Sequence, residues 1–455
     1  MKKTLLFAAV ILALAACSKE SPIKEESVID VSKLVFNIDV QNGNATKGVK
    51  TAWENGDKVY VFFEDNMKQY VKMTYDGTSW TYADKNGLTD FSDLILTASG
   101  KKLSALYMPD FVCLSDPFYW GASWNFGTIS GYYQKAEGIE YTVTSTSDVN
   151  TLNATIKLTA PENISQIFIP EGEYAECGSG EEYVLTATHF TPFEINEVFP
   201  GGAISQINTD NGHPLSAYAG TLGGEKGLYF WGILEGEGTY DFDFQLVKRN
   251  SSKKYAISSY SKSVTGKTVP GSFAAKLTGL TDNGNFVSLG YEGGPLWATG
   301  NLDKTNSKIV DPFEAGEYFK YGKTAPYINS DPDYTGTDNL LPTSDDVAYS
   351  VNSTRRIPTM NQFTALINST NTTTEWDTEN EGLSVKSKVN GISLFFAAAG
   401  RYHNGAKNSN GVRGYYWSST YDDTSYRSLY FYEGYCDTNS TTLTKYGQSI
   451  RPVKN

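Results

Sequence analysis

Along most of this chain apolar and polar residues alternate one by one, the period of a strand with one face against a core. LVFNIDV (Leu34 to Val40) opens the pattern, and VYVFF follows at 59–63. ATIKL (Ala154 to Leu158), GLYFWGIL (Gly227 to Leu234) and YDFDFQLV (Tyr240 to Val247) continue it. In the last of these, Phe242, Phe244 and Leu246 share one face and Asp241, Asp243 and Gln245 the other. That split predicts an antiparallel sheet half open to water. Asn-Gly pairs at 42–43, 55–56, 86–87, 211–212, 283–284 and 390–391 mark hairpin turns. One stretch departs from the strand period. Thr359 and Gln362 form a capping box ahead of Phe363, Leu366 and Ile367, which predicts a short amphipathic helix starting at Thr359. ISLFF (Ile392 to Phe396), SLYFY (Ser428 to Tyr432) and SIRPV (Ser449 to Val453) read as further strands. The chain is mainly β.

The run from Leu5 to Ala16 is continuously apolar. It is too short to span a bilayer, which takes about 20 residues. Lying behind Lys2 and Lys3, it fits a secretory signal. It ends in LALAAC, which resembles the lipobox of bacterial lipoproteins. That resemblance implies a signal peptide of residues 1–16, cleavage before Cys17, and acylation of Cys17 by fatty chains such as palmitate. Ser18, Lys19 and Glu20 resemble a short tag that directs lipoproteins to the outer face of the outer membrane. The expected location is therefore the cell outer membrane, lipid-anchored and surface-exposed. Residues 17–33 are polar and charged and read as a tether.

The sequence carries 38 basic and 51 acidic residues, for a net charge of −13. Most of the excess precedes Gly290, because the remainder holds 15 basic and 18 acidic residues. This balance argues against nucleic acid and against an anionic membrane surface as partners. Beyond Cys17 there are three cysteines, Cys113, Cys177 and Cys436. They allow at most one internal disulfide; Cys113 with Cys177 is the only pair within the first two-thirds of the chain, and both could equally be buried thiols. His189, His213 and His403 are scattered, which argues against a histidine metal site or a catalytic triad. Asp331, Asp333 and Thr335 ahead of Gly336 begin like a calcium loop. The position for its bidentate Glu falls at Pro342, so an acidic turn is the expected structure. No glycine-rich phosphate loop joins a strand to a helix. No cofactor, metal or enzymatic activity is expected.

Thr51, Trp53, Gly56, Asp57, Val59, Val61 and Phe62 form a motif that resembles the opening of fimbrillin-type (Mfa-like) surface proteins. That family implies two tandem β-sandwiches, expected at 34–150 and 151–285. Beyond the linker TDNGN lie PLWATGNL (Pro295 to Leu302), GEYFKYG (Gly316 to Gly322) and RRIPTMNQFTALI (Arg355 to Ile367). VNGISLFFAAAGRYHNG (Val389 to Gly405), GYYWSST (Gly414 to Thr420), SLYFYEG (Ser428 to Gly434) and GQSIRPV (Gly447 to Val453) follow. In this order they resemble the C-type-lectin-like domain of the Fibrobacter succinogenes major paralogous family, related to the formylglycine-generating-enzyme fold. An α+β C-type-lectin-like domain is therefore expected at 290–455. Enzymes of that fold need reactive cysteines, and this domain offers only Cys436. The Glu-Pro-Asn and Trp-Asn-Asp motifs of calcium-dependent sugar binding are absent too. The resemblance thus implies a binding role without calcium.

Seven tyrosines fall between Gly414 and Tyr435. By alternation Tyr415 and Trp417 share a face, and Trp417, Leu429 and Phe431 read as framework. Tyr421, Asp422, Asp423, Tyr426, Arg427, Tyr432, Tyr435 and Asn439 are interleaved with polar residues on loops or the outer face. Rigid amphipathic rings give contact area at low entropic cost, so these eight are the candidate ligand-binding residues. The expected function is a non-enzymatic adhesin or pilus (tip) subunit. Its partners would be a host or bacterial surface protein or glycan, or other pilus subunits. The alternative is a glycan-capture lipoprotein of a nutrient-uptake system. Many fimbrillins lose an N-terminal strand by cleavage at arginine, but this chain has no arginine before Arg249. The strand Leu34 to Val40 is therefore expected to stay and complete its own sandwich.

Overall fold

The computed structural model describes residues 34–42, 52–64, 66–81, 102–107, 124–129, 134–159, 164–199, 203–206, 213–269, 271, 273–336, 338–422 and 425–454. Cys17, the tether and Cys113 lie outside them. The first body is a seven-stranded sheet. Its order is Leu34–Asn42, Asn150–Leu158, Gln134–Ser145, Lys102–Tyr107, Lys58–Phe63, Asn66–Tyr75, Trp80–Thr81. Gln134–Ser145 pairs with Lys102–Tyr107 through its first half and with Asn150–Leu158 through its second. Side chains from both flanks, Ile38, Val40, Leu152 and Ile156 with Val59, Val61, Val71 and Leu103, meet in one core. The strand Leu34–Asn42 runs parallel to Asn150–Leu158, in register from Leu34 opposite Asn150 to Asn42 opposite Leu158.

This pairing moves one element. Ala154 to Leu158, expected to open the second body, lies in the first sheet. Its hairpin turns at Thr146 and Val149, whose backbone groups bond at 2.8 Å. Thr146-Ser147-Asp148-Val149 lacks the Asn-Gly signal, so the turn is silent in the sequence.

The second body packs two sheets face to face. One holds Leu215–Ser216, Glu181–Ala187, Gly238–Asn250, Ala256–Val269 and Thr281–Gly284. The other holds Phe190–Thr191, Glu225–Leu234, Ile164–Pro170 and Ala274–Lys276. Ile167, Ile169 and Phe230 meet Leu185, Phe242, Phe244 and Leu246 between them. The alternation read in Tyr240 to Val247 holds at its start, where Phe242 and Phe244 are buried and Asp241 and Asp243 exposed. It stops at Gln245, which faces the Asp side yet is buried. The C-terminal body covers the sheet there. Gln245 Nε2 donates to Ser288 O at 3.0 Å, and Ser288 N donates back to Gln245 Oε1 at 2.6 Å. On that covered face Val184, Val247 and Ala256 join one apolar cluster with Val287, Leu289 and Trp297.

The C-terminal body combines short sheets with the helices Val347–Val351 and Met360–Leu366. The capping box at Thr359 and Gln362 is formed in both directions, and Met360, Phe363 and Leu366 are buried. Leu296–Ala298 pairs with Phe286–Val287 on one side and Val453–Lys454 on the other, so the two ends of this body share a sheet. SIRPV, expected as a strand, is a run of single bridges. The bridges begin ahead of it, at Gly447 to Tyr402 and Gln448 to Phe319; within it Ser449 bridges Tyr416, and only Val453 reaches a ladder. Pro452 has no N–H to extend one. Arg451 in this run is fully buried and donates to Ala298 O (3.3 Å) and Phe395 O (2.6 Å). Its guanidinium lies 4.5 Å from the Phe396 ring centroid, and burial pushes its pKa down to about 10.

Candidate binding face of the C-terminal body

The tyrosine-rich stretch forms a three-stranded sheet of Arg413–Asp422, Ser425–Tyr432 and Tyr435–Thr442. Strand alternation sorts its side chains. Tyr416, Leu429 and Phe431 point into the core with Trp297, and Cys436 packs at its margin. Burial pushes the Cys436 thiol up to about 12. The opposite face carries Arg413, Tyr415, Tyr430, Tyr432 and Tyr435. Tyr415 stands opposite Tyr430, Arg413 opposite Tyr432, and Tyr432 opposite Tyr435. The Tyr415 and Tyr430 rings stack at 4.9 Å, and those of Tyr432 and Tyr435 at 5.0 Å and 19°.

One end of this face is covered and the other open. Trp417 lies beyond Tyr415, is 1% exposed, and donates Nε1 to Phe319 O at 2.7 Å. The Tyr321 ring closes over it at 5.2 Å. At the open end Tyr432 and Tyr435 are 37% and 43% exposed, and Arg413 is exposed beside them.

The eight candidate residues therefore separate. Tyr432 and Tyr435 form the exposed pair at the hairpin tip. Tyr421 and Tyr426 pack together at the covered end, with ring centroids 4.8 Å apart. Tyr426 serves the framework: it lies 4.5 Å from Tyr321 and its hydroxyl donates to Gly336 O at 2.9 Å. Burial, first, and then the Tyr421 hydroxyl raise its pKa. Arg427 is half-buried opposite Thr441. Asp423 and the side chains of Asp422 and Asn439 lie outside the described residues.

Beside Tyr415 lie residues that the alternation did not single out. Arg401 lies between two rings, its guanidinium carbon 4.5 Å from the Tyr415 centroid and 4.0 Å from that of Tyr446. The Lys445 ammonium is 5.9 Å from Tyr446, and His403 meets the same ring at 4.9 Å. Arg413 stands 5.8 Å from the Tyr432 ring, and a hydrogen bond with the Tyr415 hydroxyl raises its pKa. Among the described residues, none of Arg401, Arg413 and Lys445 has a carboxylate at ion-pair distance. The nearby acids are Glu433 in the turn and Asp437, which hydrogen-bonds the Tyr435 hydroxyl. A usable sequence signal existed, since Arg413 and Tyr415 keep the spacing of Tyr430 and Tyr432.

The segment Asp331 to Gly336 is organised by a lysine. Lys320 is 3% exposed, and its ammonium donates to Asn329 O and Asp331 O while standing 3.9 Å from Asp333 Oδ1. A side-chain cation thus lies within this loop.

No protein-family model matches this chain, and no curated protein matches it. Solved structures do. A candidate cell adhesion protein of Bacteroides fragilis is 16% identical, over 55% of this chain and 97% of that one, with a TM-score of 0.25. The fimbrial anchor protein Mfa2 of Porphyromonas gingivalis is 9% identical over 50% and 81%, at 0.23. A fimbrial protein of Bacteroides ovatus is 10% identical over 94% and 100%, at 0.17. Similarity at these scores is slight, and the functional reading rests on the residues.

Proposed function

We propose that this protein is a non-enzymatic surface lipoprotein, anchored through Cys17, that acts as an adhesin or pilus (tip) subunit. Its fimbrillin-like bodies would carry the C-terminal, lectin-like body as the part that binds a protein or glycan. The observation that supports this best is the open end of the tyrosine sheet. Tyr432 and Tyr435 hold flat rings in water at a hairpin tip, in the body farthest in sequence from Cys17. Exposed aromatic anchors beside an arginine are the residue types that dominate recognition surfaces.

The test uses the full mature chain on beads against bacterial and host cells. Wild-type beads should adhere, and Tyr432→Ala with Tyr435→Ala should lower adhesion at unchanged melting temperature. Adhesion to no cell type in a broad panel would sink the proposal. Radiolabelled palmitate should enter the wild type and not Cys17→Ala.

A further inference from the structure

We propose that this face of the sheet, from its open end to the side of Tyr415, is a site for an anionic saccharide, with Arg401, Arg413 and Lys445 receiving carboxylate or sulfate groups and Tyr432 and Tyr435 receiving sugar rings. This rests on the reading of the C-terminal body as the binding part and names the ligand chemistry.

Three observations carry it. The first is charge. On a chain of net charge −13, these three cations gather on one face and pair with tyrosine rings instead of carboxylates. Arg249 and Arg356, by contrast, take the acidic partners Glu182 and Asp346. The second is geometry. A guanidinium stacked between rings keeps its flat face occupied and leaves its N–H edge for an anion. Arg401, between Tyr415 and Tyr446, is held in this way. The third is the ring platform. A tyrosine face accepts the C–H face of a pyranose while the ring edge and hydroxyl meet its polar rim. Tyr432 and Tyr435, stacked as a pair and exposed, offer such a surface beside Arg413. A cationic patch alone would take any polyanion. The rings are what favour a saccharide over an acidic polypeptide.

The probes are polygalacturonate, its methyl ester, chondroitin sulfate, polyglutamate and a neutral glucan, run by affinity electrophoresis against the full mature chain. Polygalacturonate or chondroitin sulfate should retard the protein; the first carries carboxylates alone and the second carboxylates and sulfates, so retardation by the second alone assigns sulfate. Retardation by either should fall about tenfold between low and physiological salt, as expected for exposed charges. Arg401→Gln with Arg413→Gln should weaken it about tenfold or more. Tyr432→Ala should weaken it severalfold with every charge kept. Equal binding of the acid and its ester, or of the neutral glucan, would overturn the anionic assignment. So would the arginine pair having no effect. Polyglutamate bound as tightly, with Tyr432→Ala silent, would make this a face for acidic protein and overturn the saccharide. If no polymer binds while coated beads still adhere to cells, this inference falls and the adhesive function stands; if adhesion is absent too, both fall.

Discussion

Trp53 and Trp80 meet edge to face, ring centroids 5.1 Å apart, and both indole N–H groups donate to the same oxygen, Val40 O, each at 3.1 Å. Val40 belongs to the N-terminal strand, which lies at the edge of its sheet, and Trp80 to the strand at the opposite edge. The two indoles thus tie the edges together. Replacing either tryptophan by phenylalanine keeps a ring and removes a donor, which should cost about 1 kcal/mol. Either single change leaves Val40 O one partner, while the double change orphans it. The double variant should therefore lose more than the sum of the singles. Hydrogen exchange over Leu34–Asn42 measures this, and strict additivity would refute the shared-acceptor account.

The same strand bears on maturation. It pairs along its whole length with Asn150–Leu158, and Val40 is fastened by two indoles. The mature protein should accordingly keep this strand, and under the proposed anchoring it should begin at an acylated Cys17. Mass spectrometry that finds an N-terminus between Val40 and Trp53 would replace this with a processed, polymerising subunit.

Tyr426 and Tyr432 sit on one strand and should behave oppositely. Tyr426→Phe removes the hydrogen bond to Gly336 O and should destabilise by about 1 kcal/mol, with ligand binding unchanged. Tyr432→Ala should leave melting unaltered and weaken binding. Thermal denaturation and the adhesion assay separate them; a Tyr426→Phe variant that melts normally and fails to bind would return Tyr426 to the ligand face.

The two described thiols should differ in reactivity. Cys177 is exposed, whereas Cys436 is half-buried with its thiol held up to about 12 by burial. Only the thiolate attacks alkylating agents. Under reducing conditions at mildly alkaline pH, Cys177 should be alkylated in the native protein and Cys436 only after unfolding. Peptide mapping reads this, and equal labelling of both in the native state would contradict it.

Legibility in the sequence followed the range of the interactions. Strands facing a single core were visible because the alternation is local, as in Phe242 and Phe244. The helix start at Thr359 was visible because its cap lies within three residues. Gln245 was misread as solvent-facing because Ser288, which buries it, belongs to another body. Tyr426 and Tyr432 have the same local surroundings, and distant residues such as Tyr321 and Gly336 tell them apart. The cationic half of the face was hidden for the same reason, since Arg401 meets Tyr415 and Tyr446 only after folding.

The cluster that joins Val184, Val247 and Ala256 to Trp297 decides how this protein can be cut and exchanged. Tyr255 Oη donates to Asp377 Oδ2 at 2.8 Å across the same seam, and Lys253 pairs with Glu379. A fragment beginning at Gly290 would lack Val184, Val247, Ala256, Val287 and Leu289 from its apolar cluster, and would lose Tyr255 as a partner of Asp377 and Lys253 as the partner of Glu379. The C-terminal body is therefore poor material for a cassette. Recombination that exchanges the C-terminal body between proteins should respect the sheet holding Val184 and Val247, carrying it along with that body or conserving its outer face.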